Sequence, residues 1–256
     1  MKKIYQLLGF GAAHTKGLKF GVEVEMEGVG AEQPHPAWGV KIDGSLRDGY
    51  EFVFQAPLSL SESLKAVQGL YSGWRALGNT PSPSFRCSTH VHVNVQEWTI
   101  EEVKAAVFAY SLYEHEFMRN IHPDRADNRF AVAGADSANF EHNPLWDNDI
   151  HIDPNAYKYA SLNTATLQQF GTLEFRSLHA SKTPGIVLQW ITTLAYFMAN
   201  VRAFGNIEGV RQAYLNDPIA LNNILVHETW RGRSVNTKIL ERNYSSMFFI
   251  MSKGLK

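Results

Sequence analysis

The sequence predicts an α+β fold, an antiparallel sheet accompanied by helices. Three observations carry this. Phe20, Val22, Val24 and Met26 alternate strictly with Glu23, Glu25 and Glu27, the period of a strand with one apolar and one polar face. More short alternating segments follow, two of them linked through Asp-Gly turns. Stretches of helical period lie between these segments and fill the chain from Thr183 onward. A chain of 256 residues that is 45% hydrophobic can bury one substantial core. No internal repeat, low-complexity tract or linker divides it, so residues 1–256 are expected to form one domain.

The first strand presents three carboxylates on one face. Side chains two apart on a strand lie roughly 6 to 7 Å from each other, so these charges repel unless a cation or water screens them. A loop rich in Gly and Pro follows from Gly28 to Pro36. Trp38–Ile42 reads as a short strand ending at Asp43-Gly44-Ser45, and a turn at Asp48-Gly49 delivers a third strand over Tyr50–Gln55. Glu51 stands within that otherwise apolar run. Ser59 and Glu62 form a capping box that opens a helix, and its stripe of Leu60, Leu64, Val67, Leu70, Tyr71 and Trp74 serves packing. Gly78-Asn79 ends it.

Ser88–Val95 mirrors the opening strand, with Val91, Val93 and Val95 on one side and His90, His92 and Asn94 on the other. Thr99 and Glu102 form a second capping box for a helix reaching Arg119. Between Asn120 and Asp153 no period is sustained, and a loop of that length is expected to be functional or mobile rather than idle, with Arg125 and Arg129 among its charges. A strand or edge segment is expected over Lys158–Asn163. Another follows over Gly171–Leu178, with Thr172, Glu174 and Arg176 on one face and Leu173 and Phe175 on the other. The part from 183 to 256 is read as helical, with starts at Thr183-Pro184 and Asp217-Pro218 and a last helix within Ser234–Ser252.

Charge and cysteine content narrow the function. With 24 basic and 25 acidic side chains and a net charge of -1, nothing favours nucleic acid or an anionic membrane as partner. The single cysteine, Cys87, excludes an internal disulfide and a Cys-based zinc cluster, which fits a reducing compartment. No apolar run approaches the roughly 20 residues that span a bilayer, and Tyr5, Gln6, Gly9 and Gly11 interrupt the signal-like start. A soluble cytoplasmic protein is expected.

Four strand-like segments each set metal-capable or charged residues opposite their apolar side chains: Glu23 with Glu25, Glu51, His90 with His92, and Glu174 with Arg176. Their repetition points to a sheet whose polar face is a cation site. Carboxylate oxygens with some imidazole and no thiolate suit Mg²⁺ or Mn²⁺ better than Zn²⁺, and Arg176 is a ready partner for phosphate. Taken one at a time, each element has a plainer reading: surface imidazoles for His90 and His92, a weak ion pair for Glu174 and Arg176, a turn residue for Asp43, solvated charges for Arg125 and Arg129.

The order Gly21-Val-Glu23-Val-Glu25, Asp43-Gly-Ser-Leu with Glu51 beyond it, Cys87-Ser-Thr-His90-Val-His92-Val-Asn94, then Tyr159 and Asn163 ahead of Gly171-Thr-Leu-Glu174-Phe-Arg176, resembles the amidoligase family. That family belongs with the carboxylate-amine ligases of the glutamine synthetase and glutamate-cysteine ligase superfamily. The resemblance covers about residues 18–195 and departs at Phe54-Gln55. It implies a curved antiparallel sheet with helices packed on one face, a glutamine synthetase-like catalytic fold that binds ATP and Mg²⁺. By the same resemblance Glu23, Glu25, Glu51, His92 and Glu174 would hold metal, and Arg176 would contact the transferring phosphate. His90 and Asn94 would face nucleotide or substrate; Glu51 and His90 join Arg176 as catalytic candidates.

The activity so implied is ATP-dependent ligation of a carboxylate to an amine through an acyl phosphate, with small-molecule or peptide substrates. Arg125 and Arg129 are candidates for binding the cofactor and the acid substrate and, with their loop, for closing over the reaction. Two other readings stay open: a metal-dependent hydrolase in which His90, His92 and the glutamates activate water, and a non-catalytic nucleotide- or metal-binding protein of the same fold.

Overall fold

The computed structural model describes residues 1–32, 35–121, 123, 132, 142–153, 155, 159–232 and 234–254. Phe20–Glu27 (β1), Trp38–Ile42 (β2), Gly49–Phe54 (β3), Ser88–Asn94 (β4), Leu162–Asn163 (β5) and Thr172–His179 (β6) form a six-stranded sheet in the order β2-β3-β1-β4-β6-β5. Every neighbouring pair is antiparallel. The acidic strand β1 therefore lies inside the sheet, between β3 and β4. Gly49 permits the tight entry to β3, because a Cβ there would fall 2.4 Å from the Met26 carbonyl oxygen.

The alternation read from the sequence decides which face is buried. Val22, Val24, Phe52, Val91, Val93, Leu173 and Phe175 all point into one apolar core. Ile4–Leu7 (α1) precedes the sheet, Leu60–Ala76 (α2) follows β3 and Ile100–Met118 (α3) follows β4. In α2 and α3 the caps behave as the sequence predicts: Ser59 and Thr99 accept from the backbone of Glu62 and Glu102, whose side chains reach back. Helix α2 packs through Trp74 against Phe52, ring centroids 4.9 Å apart, and α3 through Tyr110 against Phe175 at 5.1 Å. After the short Thr166–Phe170 (α4), the chain continues through Gly185–Arg202 (α5), Ile207–Asn216 (α6), Pro218–Leu225 (α7) and Thr237–Gly254 (α8). Phe197 of α5 joins the same aromatic group at 6.4 Å from Phe175. No helix among the described residues is long and apolar enough to cross a membrane.

The expected strand over Lys158–Asn163 is realised only as the two residues of β5; Lys158 lies outside the described residues. Ala160 instead bridges in parallel to Val132, so the segment divides its backbone between two partners. Asn163 then ends the pairing: its side-chain oxygen accepts from Ala165 N at 2.9 Å and turns the chain into α4. Gly171, at φ +65°, closes α4 and returns the chain to β6.

Candidate active site

Strand register builds the site. Glu23 is the direct cross-strand partner of His90, Glu25 of Glu51, and His92 of Glu174. The ladder between β4 and β6 is regular up to Val91 and Phe175, then slips so that Thr89 meets Leu178. Arg176 and Ser177 thus lie opposite His90 alone, a bulge of the kind that re-aims side chains beside functional sites. Arg176 leans back onto the Oε1 of Glu174.

Glu23, His90 and Glu174 offer ligand atoms that all lie within 4.8 Å of one another. His90 Nδ1 is 3.2 Å from Glu23 Oε2 and 3.6 Å from Glu174 Oε1, while His92 Nε2 is 3.5 Å and 3.8 Å from the other Glu23 oxygen and the same Glu174 oxygen. The remaining positions of these side chains are held. Asn163 Nδ2 donates to Glu174 Oε2 at 2.7 Å. Ser88 donates to Glu25 Oε2 from its N–H at 2.7 Å and from its hydroxyl at 2.5 Å. His92 Nδ1 meets Thr172 Oγ1 at 3.2 Å. All of Glu25, Ser88, His90, Asn163 and Glu174 are buried.

The charge states follow from this crowding. Burial, reinforced by the Glu23 charge, pushes the Glu51 carboxyl up to about 7. Burial also opposes ionisation of Glu23, but hydrogen bonds from His90 and His92 win and hold its carboxyl well below the ordinary range. Glu174 is likewise lowered against its burial by His90, His92 and Arg176. For His92, burial pulls the imidazole down, and the bond to Glu23 with the Glu174 charge more than restores it. A carboxyl whose ionisation is opposed by a neighbouring carboxylate, two imidazoles turned onto the same pair of acids, and an oxygen-rich donor set without sulfur suit a hard divalent cation. The residues fit Mg²⁺ or Mn²⁺.

The converging group keeps Glu23 and Glu174 from the set drawn from the resemblance and adds His90. His90, expected to face nucleotide or substrate, stands inside it; Glu25 and Glu51 lie beside it toward β3, and His92 flanks it. His-x-His spacing puts both rings on one face but does not say which one the neighbouring strands surround. Asn94 commits its amide to the chain, donating to the carbonyls of Thr15 at 3.0 Å and Gly17 at 2.9 Å. Arg125 and Arg129 lie outside the described residues. Ser88 was assigned no role by motif, and only its position two residues before His90, on the same strand face, could have drawn attention to it.

A cleft of about 400 Å³ continues the polar face past Glu23 and His92, a size within the roughly 300 to 1,000 Å³ of small-molecule sites. Aromatic rings line part of its wall: Phe10 and His14 come from the N-terminal segment, Phe54 from β3 and Phe170 from α4. Asn94 builds this wall, together with Gln96, whose side-chain oxygen accepts from Thr15 N at 3.0 Å. These contacts join residues about 80 positions apart and have no local signature.

Fold and site together define an α+β protein with a carboxylate-imidazole centre, an arginine at its edge and an adjoining cleft of small-molecule size. The family model described as "putative amidoligase enzyme" matches residues 47–198, more than half of the chain, and the chain belongs to that family. The match contains Glu51, His90, His92, Glu174 and Arg176, whereas Glu23 and Glu25 precede it. Membership supports a ligase. No curated protein matches the chain.

Proposed function

We propose that the protein is an ATP- and Mg²⁺-dependent carboxylate-amine ligase, with Mn²⁺ as a possible substitute. In this reaction a substrate carboxylate oxygen takes the γ-phosphate of ATP, leaving ADP. An amine then attacks the acyl carbon, expelling phosphate and giving up a proton, so that an amide or isopeptide bond forms. The observation that carries the reading is the convergence of Glu23, His90 and Glu174 next to Arg176, with Glu23 also lining a cleft of about 400 Å³, in a chain of the amidoligase family.

Glu23, Glu174 and His90 would hold the cation, with His92, Glu25 and Glu51 around it. Bound there, the ion would supply charge neutralisation at the phosphate oxygens. Arg176, already turned toward the centre by Glu174, offers a planar guanidinium to the transferring phosphate. The cleft beside Glu23 and His92, with Phe10, Phe54 and Phe170 in its wall, suits the organic part of a substrate whose anionic end reaches the centre. On this reading the sheet is the glutamine synthetase-like catalytic fold, and residues 1–256 act as one catalytic unit on small-molecule or peptide acids and amines. The buried free thiol of Cys87 accords with the cytoplasm as its compartment.

The test is thermal stability with a non-hydrolysable ATP analogue and Mg²⁺, singly and together, followed by ADP release against panels of acids and amines. Stabilisation that needs both ligands, and ADP release that needs both substrates, is the expected result. Stabilisation by Mn²⁺ or Zn²⁺ alone, with no nucleotide effect and with hydrolysis of amides without ATP, would replace the ligase by the hydrolase reading.

A further inference from the structure

We propose that Gly21 is the bare floor of the cleft, left without a side chain so that a flat ring can lie on the strand backbone beside the carboxylate-imidazole centre. Glycine inside a strand weakens it, and its presence there marks a bulge, a bend, or the close approach of another backbone or a ligand. Gly21 lies within β1, an interior strand, and its ladder to β4 is regular, with Phe20 opposite Val93, Gly21 opposite His92 and Val22 opposite Val91. On the β3 side it is residues 54–57 that bow out, between the Glu23–Val53 and Phe20–Leu58 pairs, and they form part of the cleft lining.

Among the described residues, nothing in the fold asks for the missing side chain. The φ of Gly21 is not in the left-handed region. A Cβ there would meet His92 at 3.4 Å from its Cβ and 3.9 Å from its Cγ, ordinary van der Waals separations. Gly49 and Gly171 differ, since a Cβ would fall 2.4 Å from the Met26 carbonyl oxygen in the first and 2.5 Å from Gln96 Cγ in the second. The space that a side chain at position 21 would enter is the cleft, which Gly21 lines together with Glu23 and His92.

The surroundings suit a planar group. Phe10 and Phe170 line the same cleft, and Phe170 is 48% exposed. Aromatic faces and bare backbone are surfaces that a flat ring can approach closely over its whole area. The N-terminal wall is held in place, because Phe10 N donates to Tyr5 O at 2.9 Å and Asn94 and Gln96 bind Thr15 and Gly17. Glu23 follows two residues on along the same strand face, roughly 6 to 7 Å away, so a ring over Gly21 leaves the polar end of its molecule at the centre. The ring is that of a nucleobase or of an aromatic acid or amine. Only this choice of source rests on the ligase reading.

The test is ligand-observed NMR titration of the full chain, without metal or ATP, using adenosine, phenethylamine and 2-cyclohexylethylamine, whose ring is puckered. Wild type should bind a flat probe at least about tenfold more tightly than the puckered one. Gly21→Ala should weaken that binding by about tenfold and Gly21→Val should abolish it. The urea midpoint of Gly21→Ala should stay at or above that of wild type, because alanine is compatible with this backbone. Gly39→Ala, on the same sheet face but outside the cleft lining, should behave alike in urea and bind the probe as wild type does.

Binding of adenosine assigns the ring to a nucleotide, and binding of phenethylamine assigns it to the acid or amine substrate. The proposal is overturned if neither flat probe binds, if the puckered probe binds as tightly, or if Gly21→Ala binds like wild type. A loss of stability in Gly21→Ala would also overturn it, since the fold itself would then need the glycine. If the probes behave as expected while an ATP analogue with Mg²⁺ gives no stabilisation, the ligase reading fails and the ring site stands.

Discussion

The two faces of the central strands are opposite in chemistry, yet parts of both are hidden from solvent. On β4 and β6, Val91 and Phe175 are fully buried below the sheet, while the neighbouring His90 and Glu174 are 5% and 3% exposed above it. Below, each buried side chain contributes about 1.5 to 3 kcal/mol by leaving water. Above, burial works against the charged groups, and one carboxyl, Glu51, is driven to hold its proton near neutral pH. Burial alone therefore does not tell a stabilising residue from a functional one. The difference lies in whether the environment favours the form in which the side chain is buried.

The largest test of this contrast sits on adjacent residues of β3. Phe52→Ala removes a fully buried ring packed edge-on to Trp74, and unfolding in urea should show a loss of about 3 to 5 kcal/mol. Glu51→Gln removes a carboxylate that its surroundings resist, and at alkaline pH stability should be unchanged or raised by about 1 kcal/mol. Equal losses in the two variants would break the distinction between the faces.

How much of this was legible in the sequence follows from the range of the interactions. The strands around Val22, Val40, Phe52 and Val91 and the helices after Ser59 and Thr99 obey local rules, alternation and capping, and the structure has them within a residue or so. The polar face was legible for the same reason. Selection within that face was not: the bulge opposite His90 depends on how β6 pairs with β4, and the cleft wall depends on Asn94 and Gln96 reaching Thr15 and Gly17. Helix α4 was missed because it is five residues long and depends on the turn made by Asn163.

Asn163 sharpens the contrast in the other direction. It is as buried as a core residue, yet its amide serves one oxygen of Glu174 and leaves the other to Arg176 and the two imidazoles. Asn163→Ala should weaken Mn²⁺ binding by about ten- to a hundredfold, measured by titration on protein whose circular dichroism is native. Unaltered affinity would show that Glu174 needs no second partner to stay in place.

Glu51 also predicts a pH dependence with a definite sign. Its folded carboxyl titrates at about 7 against an ordinary 4.5, so between those values the folded state holds a proton that the unfolded state has released. Its contribution to stability is complete below pH 4.5 and is lost as pH rises toward 7. Allowing for partial contact with solvent, the loss is about 1 to 2 kcal/mol. Glu23 and Glu174, whose carboxyls are lowered, contribute in the opposite sense: that stability is present above the ordinary carboxylate range and is lost on acidification. The difference between the urea curves of wild type and Glu51→Gln isolates the first effect. A difference that does not change between pH 4.5 and 7 would mean that Glu51 ionises as an ordinary surface carboxyl.

The smallest expected effect is a control on all the others. Ser59 caps α2 through the reciprocal bonds with Glu62, on the helical side of the molecule and outside the Glu23, His90 and Glu174 group. Ser59→Ala should cost about 1 kcal/mol, because a first-turn N–H loses its partner while the core is untouched. Mn²⁺ affinity should stay as in wild type, since a modest rise in the unfolded fraction barely depletes a folded population that remains dominant. If instead affinity falls in step with stability, metal binding reports the cohesion of the whole molecule. The weakening expected in Asn163→Ala could then come from lost folding rather than from a misplaced Glu174 carboxylate.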